Sequence, residues 1–514
     1  MENNIGQLLT RRAFLSPDVE AYCEDCSDLR LTYAELNGRC NQFANALQAA
    51  GVQKGERVAL LLMNSVEFME AFFAVAKIGA IVVPLNWRLV ADELEFIIKD
   101  SGAKRLLFGN EFEEVVTELQ SRGDRTDVAQ WLQVCGAQAP GAFADVYEQF
   151  RDAAPATEPA CDTGDEDVLY IMYTSGTTGL PKGVVHSHST ALWAVLTICA
   201  NPIHQPEDRY LAALPMFHVG ALTPLVVNVY KGCTSVVMRT FNPVRAWELI
   251  EQEKISTGLA VPAMLNFMVQ VPDFKKYDFS HVRWMMTGAA PVPPELTQLY
   301  ADLGIEILQV YGLTESCGPG CLMDSRNALR KPASAGRAFF HTDVKIVDGA
   351  GNECERGEAG EVLIRGRHIM LEYWNRPDAT AETLKDGWLH TGDVAIMDDE
   401  GFVTIQDRIK DMIISGGENV YPAEIEAAIM AHPQVSEAAV IGLPSEKWGE
   451  SPFAIVVRSE PALTEAEVLK HCHSKLARFK QPCGVAFIDE IPRNPSGKIL
   501  KRLLREDYPG PAPA

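Results

Sequence analysis

Up to about residue 405, the chain alternates short apolar runs with longer segments in which apolar residues recur at helical spacing. The short runs lack the length of a helix, and they are too apolar for strands that have one solvated face. This pattern predicts an α/β fold in which mostly parallel sheets are covered by helices. The clearest predicted strands span residues 57–62, 80–84, 104–108 and 168–172.

Two changes along the chain predict its domain organisation. Glycine-containing turns separate short strands between residues 344 and 404, which is typical of a compact β region. After residue 409 the chain forms a unit of its own, with helices predicted to begin near Pro422 and Leu463. We therefore predict a large N-terminal domain, 1–408, containing two helix-covered sheets and this β region. A small α+β domain should follow at 409–514.

Composition narrows the class of protein. The 514 residues are 47% hydrophobic and 22% charged, which is typical of a globular chain. The net charge of −23 repels phosphate backbones, so we expect no nucleic-acid partner. No secretory signal and no apolar run of membrane-spanning length is present. The twelve cysteines are scattered, which favours reduced thiols and a cytoplasmic location.

The strongest chemical signal is the segment 173–183, Tyr-Thr-Ser-Gly-Thr-Thr-Gly-Leu-Pro-Lys-Gly, which directly follows a predicted strand. Its glycines, at 176, 179 and 183, permit tight turns and close approach to a ligand, and its hydroxyls and N–H groups suit an anion. It lacks the Gly-Lys-Ser/Thr spelling of the nucleoside-triphosphatase P-loop. We predict that phosphate groups bind here to Thr174, Ser175, Gly176, Thr177, Thr178 and Lys182.

Further motifs follow at 287–291, 311–315, 387–393, 407–411, 415–419 and 492–498. In this order, and together with the first segment, they resemble the adenylate-forming superfamily. That superfamily contains acyl-CoA synthetases, firefly luciferases and the adenylation domains of peptide synthetases. The resemblance covers essentially the whole chain. Segments 214–218 and 412–426 look most like those of the mycobacterial fatty acyl-CoA synthetases.

The resemblance implies that the chain binds ATP together with Mg²⁺. Asp393 would accept the ribose hydroxyls, and Arg408 would hold the ribose and phosphate region. Glu315 and Thr174 would be the metal ligands. Lys498 would reach the α-phosphate and the carboxylate during adenylation, where developing charge must be compensated. Adenine would lie on the backbone of Gly288, Ala289 and Ala290, and Tyr311 would stack on its other face. The remaining nucleotide contacts would come from Gly312 and Thr314.

The same resemblance places the acid beside Phe217 and His218, and it makes His218 a catalytic residue with Glu315 and Lys498. A buried structural histidine is the competing interpretation of His218. The pocket wall would consist of small or apolar residues, which favours an apolar acid. We expect a medium- or long-chain fatty acid and keep an aromatic acid of the cinnamate or benzoate type as the alternative. The wall residues are Val219, Gly220, Ala221, Val261, Pro262 and Met264.

The resemblance also implies that CoA is the second substrate. The small domain would turn about Lys410, and Gly417 and Trp448 would border the channel of the pantetheine arm. Only sixteen residues follow Lys498, so we expect no carrier module. A non-catalytic nucleotide sensor is the rival from another class. Peripheral membrane contact and a homodimer stay open, and the basic run 498–505 is either a membrane or CoA contact or a solvated helix face.

Overall fold

The computed structural model describes residues 4–25, 27–136, 140–174, 181–201, 204–290, 292–415, 418–445, 448–473, 475–476, 478–493 and 499–510. Its first segment contains helices α1 (Ile5–Leu15), α2 (Tyr33–Ala49), α3 (Val66–Lys77), α4 (Ala91–Ser101), α5 (Glu113–Ser121) and α6 (Tyr147–Asp152). The strands of this segment are β1 (Glu20–Glu24), β2 (Arg30–Thr32), β3 (Arg57–Leu61), β4 (Ile81–Pro84), β5 (Arg105–Gly109), β6 (Gln130–Val134) and β7 (Asp145–Val146).

The second segment contains strands β8 (Val168–Thr174), β9 (Lys182–Ser187), β10 (Arg209–Ala212), β11 (Thr234–Val237), β12 (Thr257–Ala260), β13 (Trp284–Gly288), β14 (Glu306–Tyr311), β15 (Cys321–Leu322) and β16 (Arg337–Ala338). Its helices are α7 (His188–Cys199), α8 (Val219–Lys231), α9 (Pro243–Gln252), α10 (Pro262–Gln270) and α11 (Pro294–Asp302).

A β-rich segment then contains β17 (Asp343–Val347), β18 (Ala359–Arg365), β19 (Glu372–Tyr373), α12 (Pro377–Thr383), β20 (Leu384–Lys385), β21 (Trp388–Met397) and β22 (Val403–Arg408). The last segment contains β23 (Ile413–Ser415), β24 (Glu418–Val420), α13 (Pro422–Met430), β25 (Val435–Ser445), β26 (Gly449–Arg458), α14 (Glu465–His473), β27 (Val485–Phe487) and α15 (Lys501–Asp507). The strands predicted from the short apolar runs are present, and the α/β class is confirmed.

Two large sheets form most of the molecule. One has the strand order β16-β15-β14-β13-β12-β10-β11-β1-β2, and the other has the order β19-β9-β8-β4-β3-β5-β6-β7. Neighbouring strands from β10 to β14 are parallel, so their carboxyl ends share one edge, where open α/β sheets bind ligands. One buried core cluster includes residues of α1, α2, α3, α7 and α8 and joins both sheets.

The strands on either side of the predicted phosphate segment, β8 and β9, form a hairpin. β8 and β9 pair antiparallel, with Thr174 opposite Lys182, so a second strand and not a helix follows the segment. Gly183 lies inside β9, where a Cβ atom would come within 2.6 Å of Ile171 Cγ2. Glycine is therefore needed at 183 for packing between neighbouring strands, which differs from the turn that we predicted there.

The β-rich segment forms a small sheet of order β17-β18-β21-β20, with β22 on β21. The last segment forms another, β24-β23-β26-β25, with β27 on β26. The predicted helices near residues 422 and 463 are α13 and α14. No helix of the described residues has both the length and the apolar character needed to cross a bilayer.

Charges of the basic run are paired within the structure. In α15, Lys501 lies 2.8 Å from Glu426, Arg505 lies 3.1 Å from Asp411, and Leu504 is buried. These contacts favour a helix packed on the last segment over a membrane or CoA contact.

Candidate active site

The predicted adenine wall lies at the carboxyl end of β13. Gly288 pairs with Val310 of β14, and a Cβ atom at 288 would lie 2.2 Å from the Val310 carbonyl oxygen. No larger residue fits there without moving a strand. Ala289 follows with φ of +69°, a conformation that residues with a Cβ rarely adopt. The chain thus turns sharply outside the strand, and Ala289 and Ala290 are exposed.

A buried carboxylate lies beside this wall. Asp393 of β21 is 5% exposed, and its Oδ2 accepts a hydrogen bond from the Tyr311 hydroxyl at 2.7 Å. Its Oδ1 lies 2.6 Å from Nε of Arg408, the residue opposite it on β22. Burial, and then the Asp393 charge, hold the Tyr311 pKa well above its usual range, so the phenol stays a donor. The carboxylate is oriented by both partners and keeps lone pairs for a ligand's hydroxyls.

Glu315 lies in a 3₁₀ turn, Thr314–Ser316, directly after β14. Its Oε1 accepts a hydrogen bond from the Tyr373 hydroxyl at 2.7 Å. The ammonium of Lys182 lies over the Tyr373 ring, 4.9 Å from its centre. Tyr373 therefore links a predicted metal ligand to a predicted phosphate-binding residue. Gly312 comes just before this turn, and a Cβ atom there would overlap the Gly318 carbonyl oxygen at 1.5 Å.

Three consecutive carbonyl oxygens of this turn are bound by other elements. His186 Nε2 lies 2.7 Å from the Thr314 oxygen, and His368 Nδ1 lies 2.8 Å from the Ser316 oxygen. Between them, the Met370 N–H donates to the backbone carbonyl oxygen of Glu315 at 2.8 Å. Burial lowers the pKa of both histidines to about 4. The rings are therefore neutral at ordinary pH.

Of the predicted phosphate-binding residues, Thr174 ends β8 and its hydroxyl lies 3.5 Å from the Lys182 carbonyl oxygen. Ser175, Gly176, Thr177 and Thr178 lie outside the described residues. Thr174 and Lys182, the described residues on either side of that segment, lie opposite each other in the β8–β9 pair. That end of the hairpin carries Lys182, whose ammonium faces Tyr373.

The predicted acid-binding residues surround the amino end of α8. His218 is the residue before α8, its ring centre lies 4.3 Å from that of Phe217, and Val219, Gly220 and Ala221 form the first turn. Burial, and then the nearby Arg88 charge, lower the His218 pKa to about 4. Its Nε2 is buried and has no hydrogen-bond partner among the described atoms, which suits a group that meets a ligand.

The other predicted wall residues belong to α10. Val261 caps this helix, Pro262 begins it, and Met264 packs in the core cluster that contains Trp247 and Leu265. Phe217 is also deeply packed, with its ring 6.1 Å from that of Trp87. Of the wall residues, Ala221, Pro262 and Met264 are therefore buried in the core, and Gly220 has room around it. A Cβ atom at 220 would meet only Leu214, at 3.8 Å.

An apolar gap lies between α7 and α8. It reaches the Glu315 turn, because the Thr223 hydroxyl donates to the Cys317 carbonyl oxygen at 3.0 Å. It is narrow, about 10 Å³. A larger cavity of about 160 Å³ lies under α1, at the carboxyl end of α8, and includes Leu196 and Tyr230. The gap is lined by Ala191, Val195, Leu222, Thr223, Val226 and Cys317, among others.

The predicted CoA residues lie in the last segment. Trp448 is 49% exposed and comes just before Gly449, which pairs with Ser415. Trp448 is thereby next to the strand that leads to residue 417. Gly417 and Lys498 themselves lie outside the described residues. Arg493 and Ile499, on either side of the segment that ends at Lys498, form an antiparallel bridge.

Lys410, the predicted hinge, lies in the turn after β22 and is exposed. The Ile409 N–H donates to the Gly392 oxygen at 2.9 Å, and the N–H groups of Asp411 and Met412 both donate to the Arg408 oxygen at 3.0 Å. The turn is thus tied on its amino side to β21, at the residue before Asp393.

Comparison with known proteins decides the family. Residues 9–374 match the AMP-binding enzyme family, and residues 424–498 match the AMP-binding enzyme C-terminal domain. The chain belongs to the AMP-binding enzymes. The family predicted from the sequence is therefore confirmed.

Relatives of known activity resemble this AMP-binding enzyme over its full length. It is 48% identical over 511 residues to the long-chain-fatty-acid–CoA ligase FadD13 of Mycobacterium tuberculosis, covering 99% of each chain. It is 38% identical over 506 residues to a feruloyl-CoA synthase of Amycolatopsis, covering 98% of this chain and 99% of that one. The o-succinylbenzoate CoA synthetase of Bacillus subtilis, solved with its acyl-adenylate, has a TM-score of 0.86 at 31% identity and 98% coverage of both chains.

Sequence reasoning missed three residues of this candidate site. Tyr373, His186 and His368 were not singled out, yet each contacts the Glu315 turn or its carboxylate. His186 could have been suspected, because it lies in the strand after the phosphate segment with its side chain in an apolar run. Tyr373 and His368 come from a distant part of the chain, and only the pairing of β19 with β9 brings that part here.

Proposed function

We propose that this enzyme is a fatty-acid–CoA ligase that acts on medium- or long-chain acids. The reaction joins a carboxylate to CoA, with ATP converted to AMP and pyrophosphate through an acyl-adenylate. The observation that carries the proposal is the 48% identity, along the whole of both chains, to a long-chain-fatty-acid–CoA ligase. The apolar gap between α7 and α8 supports an aliphatic substrate, since its lining includes Ala191, Val195, Leu222 and Val226.

The nucleotide would lie across the carboxyl ends of β13 and β14. Asp393, held by Tyr311 and Arg408, would accept the ribose hydroxyls, and the turn after Gly288 would carry the adenine. Lys182 at the end of the hairpin would balance phosphate charge. We propose the domain boundary at 408/409, directly after the strand that supplies Arg408.

The residues present fit a magnesium ion that arrives with the nucleotide. Glu315 uses one carboxylate oxygen for Tyr373 and keeps the other, and Thr174 offers a hydroxyl. Among the described residues there is no group of three or more His, Cys, Asp or Glu side chains that could cage a metal. Mg²⁺ bound by one or two protein oxygens and by phosphates needs no such cage. When bound, the ion would offset the charge of the triphosphate.

In the first step, a carboxylate oxygen of the acid attacks the α-phosphorus, and the bond from that phosphorus to pyrophosphate breaks. Lys498 would compensate the charge that develops there, as the resemblance implies. His218 lies at the amino end of α8 with an unpartnered nitrogen, and we place the acid's carboxylate near it. The alkyl chain would run from there between α7 and α8.

The direction of that path follows from the helices. Leu222 and Val226, which line the gap, and Tyr230, which lines the cavity under α1, are four residues apart and lie along one stripe of α8. From residue 219 to 230 the helix rises about 17 Å, enough for a long alkyl chain to lie alongside it. Because the gap is narrow, side chains of α7 and α8 must separate when a chain enters.

In the second step, the CoA thiol attacks the acyl carbonyl, loses its proton, and the bond between the acyl group and AMP breaks. We propose that the small domain turns about Lys410 between the steps. This rotation withdraws Lys498, which serves adenylation alone, and brings Gly417 and Trp448 beside the pantetheine arm. The enzyme would work in the cytoplasm, where its cysteines, free in the described residues, stay reduced. Peripheral membrane contact and a homodimer stay predictions.

Pyrophosphate release measured with a panel of acids tests the function. We expect release to depend on a carboxylic acid and kcat/KM to rise with alkyl chain length, since each buried CH₂ contributes about 0.8 kcal/mol. Faster turnover of ferulate, cinnamate or benzoate than of any fatty acid would instead select the aromatic alternative. Nucleotide binding without release for any acid would select the non-catalytic sensor.

A further inference from the structure

The turn that carries Glu315 is held by two histidines from different parts of the chain. His186 comes from β9, four residues after Lys182, and His368 comes from the segment between β18 and β19. Their rings contact the peptide carbonyls on either side of Glu315, at Thr314 and Ser316. Both side chains are fully buried, at 0% exposure. The carboxylate between them makes one hydrogen bond to a described side chain, that of Tyr373.

The contacts fix opposite tautomers in the two rings. A carbonyl oxygen only accepts, so His186 must donate from Nε2 and His368 must donate from Nδ1. The remaining nitrogens meet hydroxyls, with His186 Nδ1 3.1 Å from Thr190 Oγ1 and His368 Nε2 2.8 Å from Thr342 Oγ1. Each ring therefore meets a hydroxyl on one side and donates to the turn on the other.

We propose that His186 and His368 are positioning residues that set the place of Glu315 relative to the phosphate-binding hairpin. This inference rests on the proposed function, in which Glu315 is a ligand of the magnesium ion that accompanies ATP. The Glu315 carboxylate oxygen that does not contact Tyr373 must meet that ion. Its position depends on where the backbone of the turn lies. His186 ties the turn to the strand that begins with Lys182, and His368 ties it to the small sheet that carries Asp393.

The tautomers provide a sharp test, because the two amide side chains mimic different ring nitrogens. The glutamine amide nitrogen reaches the position of Nε2, and the asparagine amide nitrogen reaches that of Nδ1. His186→Gln and His368→Asn therefore keep the donor to the turn. His186→Asn and His368→Gln have the same chemistry with the donor misplaced, so they are the matched controls for size and polarity.

The measurement is calorimetric affinity for α,β-methylene-ATP with Mg²⁺, compared with affinity for AMP without metal. We expect the misplaced-donor pair to lose roughly 10- to 100-fold in affinity for the magnesium complex, as is typical when a supporting partner of a metal ligand is removed. AMP affinity and the KM for the acid should stay unchanged, and the variants that keep the donor, His186→Gln and His368→Asn, should bind as the native protein does. The variants should rank in the same order by kcat/KM for MgATP as they do by affinity.

Two results would overturn the inference. Equal losses of affinity in both pairs of variants would show that the rings only fill the core. Native affinity in the misplaced-donor pair would show that the turn does not need the two histidine hydrogen bonds. If that pair does not fold, Thr342→Val decides, since it removes only the hydroxyl that orients His368. It must weaken the magnesium complex and spare AMP, and unchanged affinity again overturns the inference.

A Glu315→Gln variant, measured in parallel, separates this inference from the proposed function. If it loses affinity for the magnesium complex while the histidine variants do not, only the positioning role of the two histidines is wrong. If it binds the complex as tightly as the native protein, the metal-ligand role of Glu315 is wrong, and so is the positioning role that depends on it.

Discussion

The Arg408 guanidinium lies 2.6 Å from the buried carboxylate of Asp393, across the pair of strands at which the N-terminal part of the chain ends. Arg408 is also the residue whose carbonyl oxygen accepts from Asp411 and Met412, the first residues after the proposed hinge. The group that orients the proposed ribose acceptor thus lies directly beside the turn at Lys410. A rotation of the last segment there would begin two residues from the nucleotide.

This arrangement predicts the consequence of removing the carboxylate charge. Asp393→Asn should raise the Kd for AMP by roughly tenfold or more, because hydrogen bonds to a charged acceptor contribute about 1.5–3 kcal/mol. Tyr311→Phe should cause a smaller rise, since Asp393 keeps its charge and Arg408. Calorimetry with AMP measures both. Asp398→Asn, in the same small sheet and paired with Lys331, is the control. AMP binding of native strength in Asp393→Asn would move the ribose site elsewhere.

The proposed path of the alkyl chain predicts a substitution that acts by chain length. Ala191→Leu should fill the gap between α7 and α8 and lower kcat/KM progressively for longer acids, because each excluded CH₂ forfeits about 0.8 kcal/mol. Ala194→Leu is the matched control, being buried in the same helix and absent from the lining of the gap. Assays with acids of increasing length decide, and equal losses for short and long acids in Ala191→Leu would place the chain elsewhere.

A buried histidine at the start of α7 predicts a loss of stability in mild acid. The Ile5 N–H donates to His188 Nδ1 at 3.0 Å, and burial lowers the His188 pKa to about 4, against the opposing effect of Asp167 and Asp165. In the unfolded chain His188 takes up a proton near pH 6.5, and in the folded chain it does so only near pH 4. Its contribution to stability is therefore fully present above pH 6.5 and is lost as the pH falls from 6.5 to 4. The loss should approach about 3 kcal/mol.

His188→Asn tests this, since its side-chain oxygen keeps an acceptor near Nδ1 and has no proton to gain. The thermal unfolding temperature, followed from pH 7 to pH 4, should fall less steeply in this variant than in the native protein. His473→Asn, at an exposed position of α14, should leave the slope unchanged. Identical slopes in the native protein and in His188→Asn would show that His188 has the same pKa in the folded and unfolded states.

The limits of sequence-based prediction lie where contacts are distant. The strand from Val168 to Thr174 and the helix beginning at Pro422 are local patterns, an apolar run and a proline at a helix start, and both were predicted. Tyr373 reaches Glu315 because β19 pairs with β9, whose residues are almost two hundred positions earlier. No spacing in the sequence encodes that pairing. The shape of an apolar gap such as that beside Val226 likewise depends on how two helices pack, and not on which residues are apolar.

The last prediction separates two residues that a single assay would confuse, Lys498 and Gly417. In the proposed mechanism, Lys498 serves adenylation alone, and Gly417 serves thioester formation alone. Lys498→Ala should lower the overall rate by roughly 10²- to 10³-fold or more, the usual cost of losing a group that stabilises developing charge. Supplied with preformed acyl-adenylate, this variant should still make acyl-CoA at nearly the native rate.

Gly417→Leu should behave in the opposite way, because a side chain at that position obstructs the pantetheine arm and leaves the ATP site untouched. It should accumulate enzyme-bound acyl-adenylate and stall. Lys410→Pro should also stall after adenylation, since a fixed φ at the turn between Ile409 and Asp411 resists rotation of the small domain. Pyrophosphate release and adenylate consumption, measured separately, distinguish these cases. If Lys498→Ala failed equally in both half-reactions, the residue would serve both steps, and a domain rotation that withdraws it before thioester formation would be wrong.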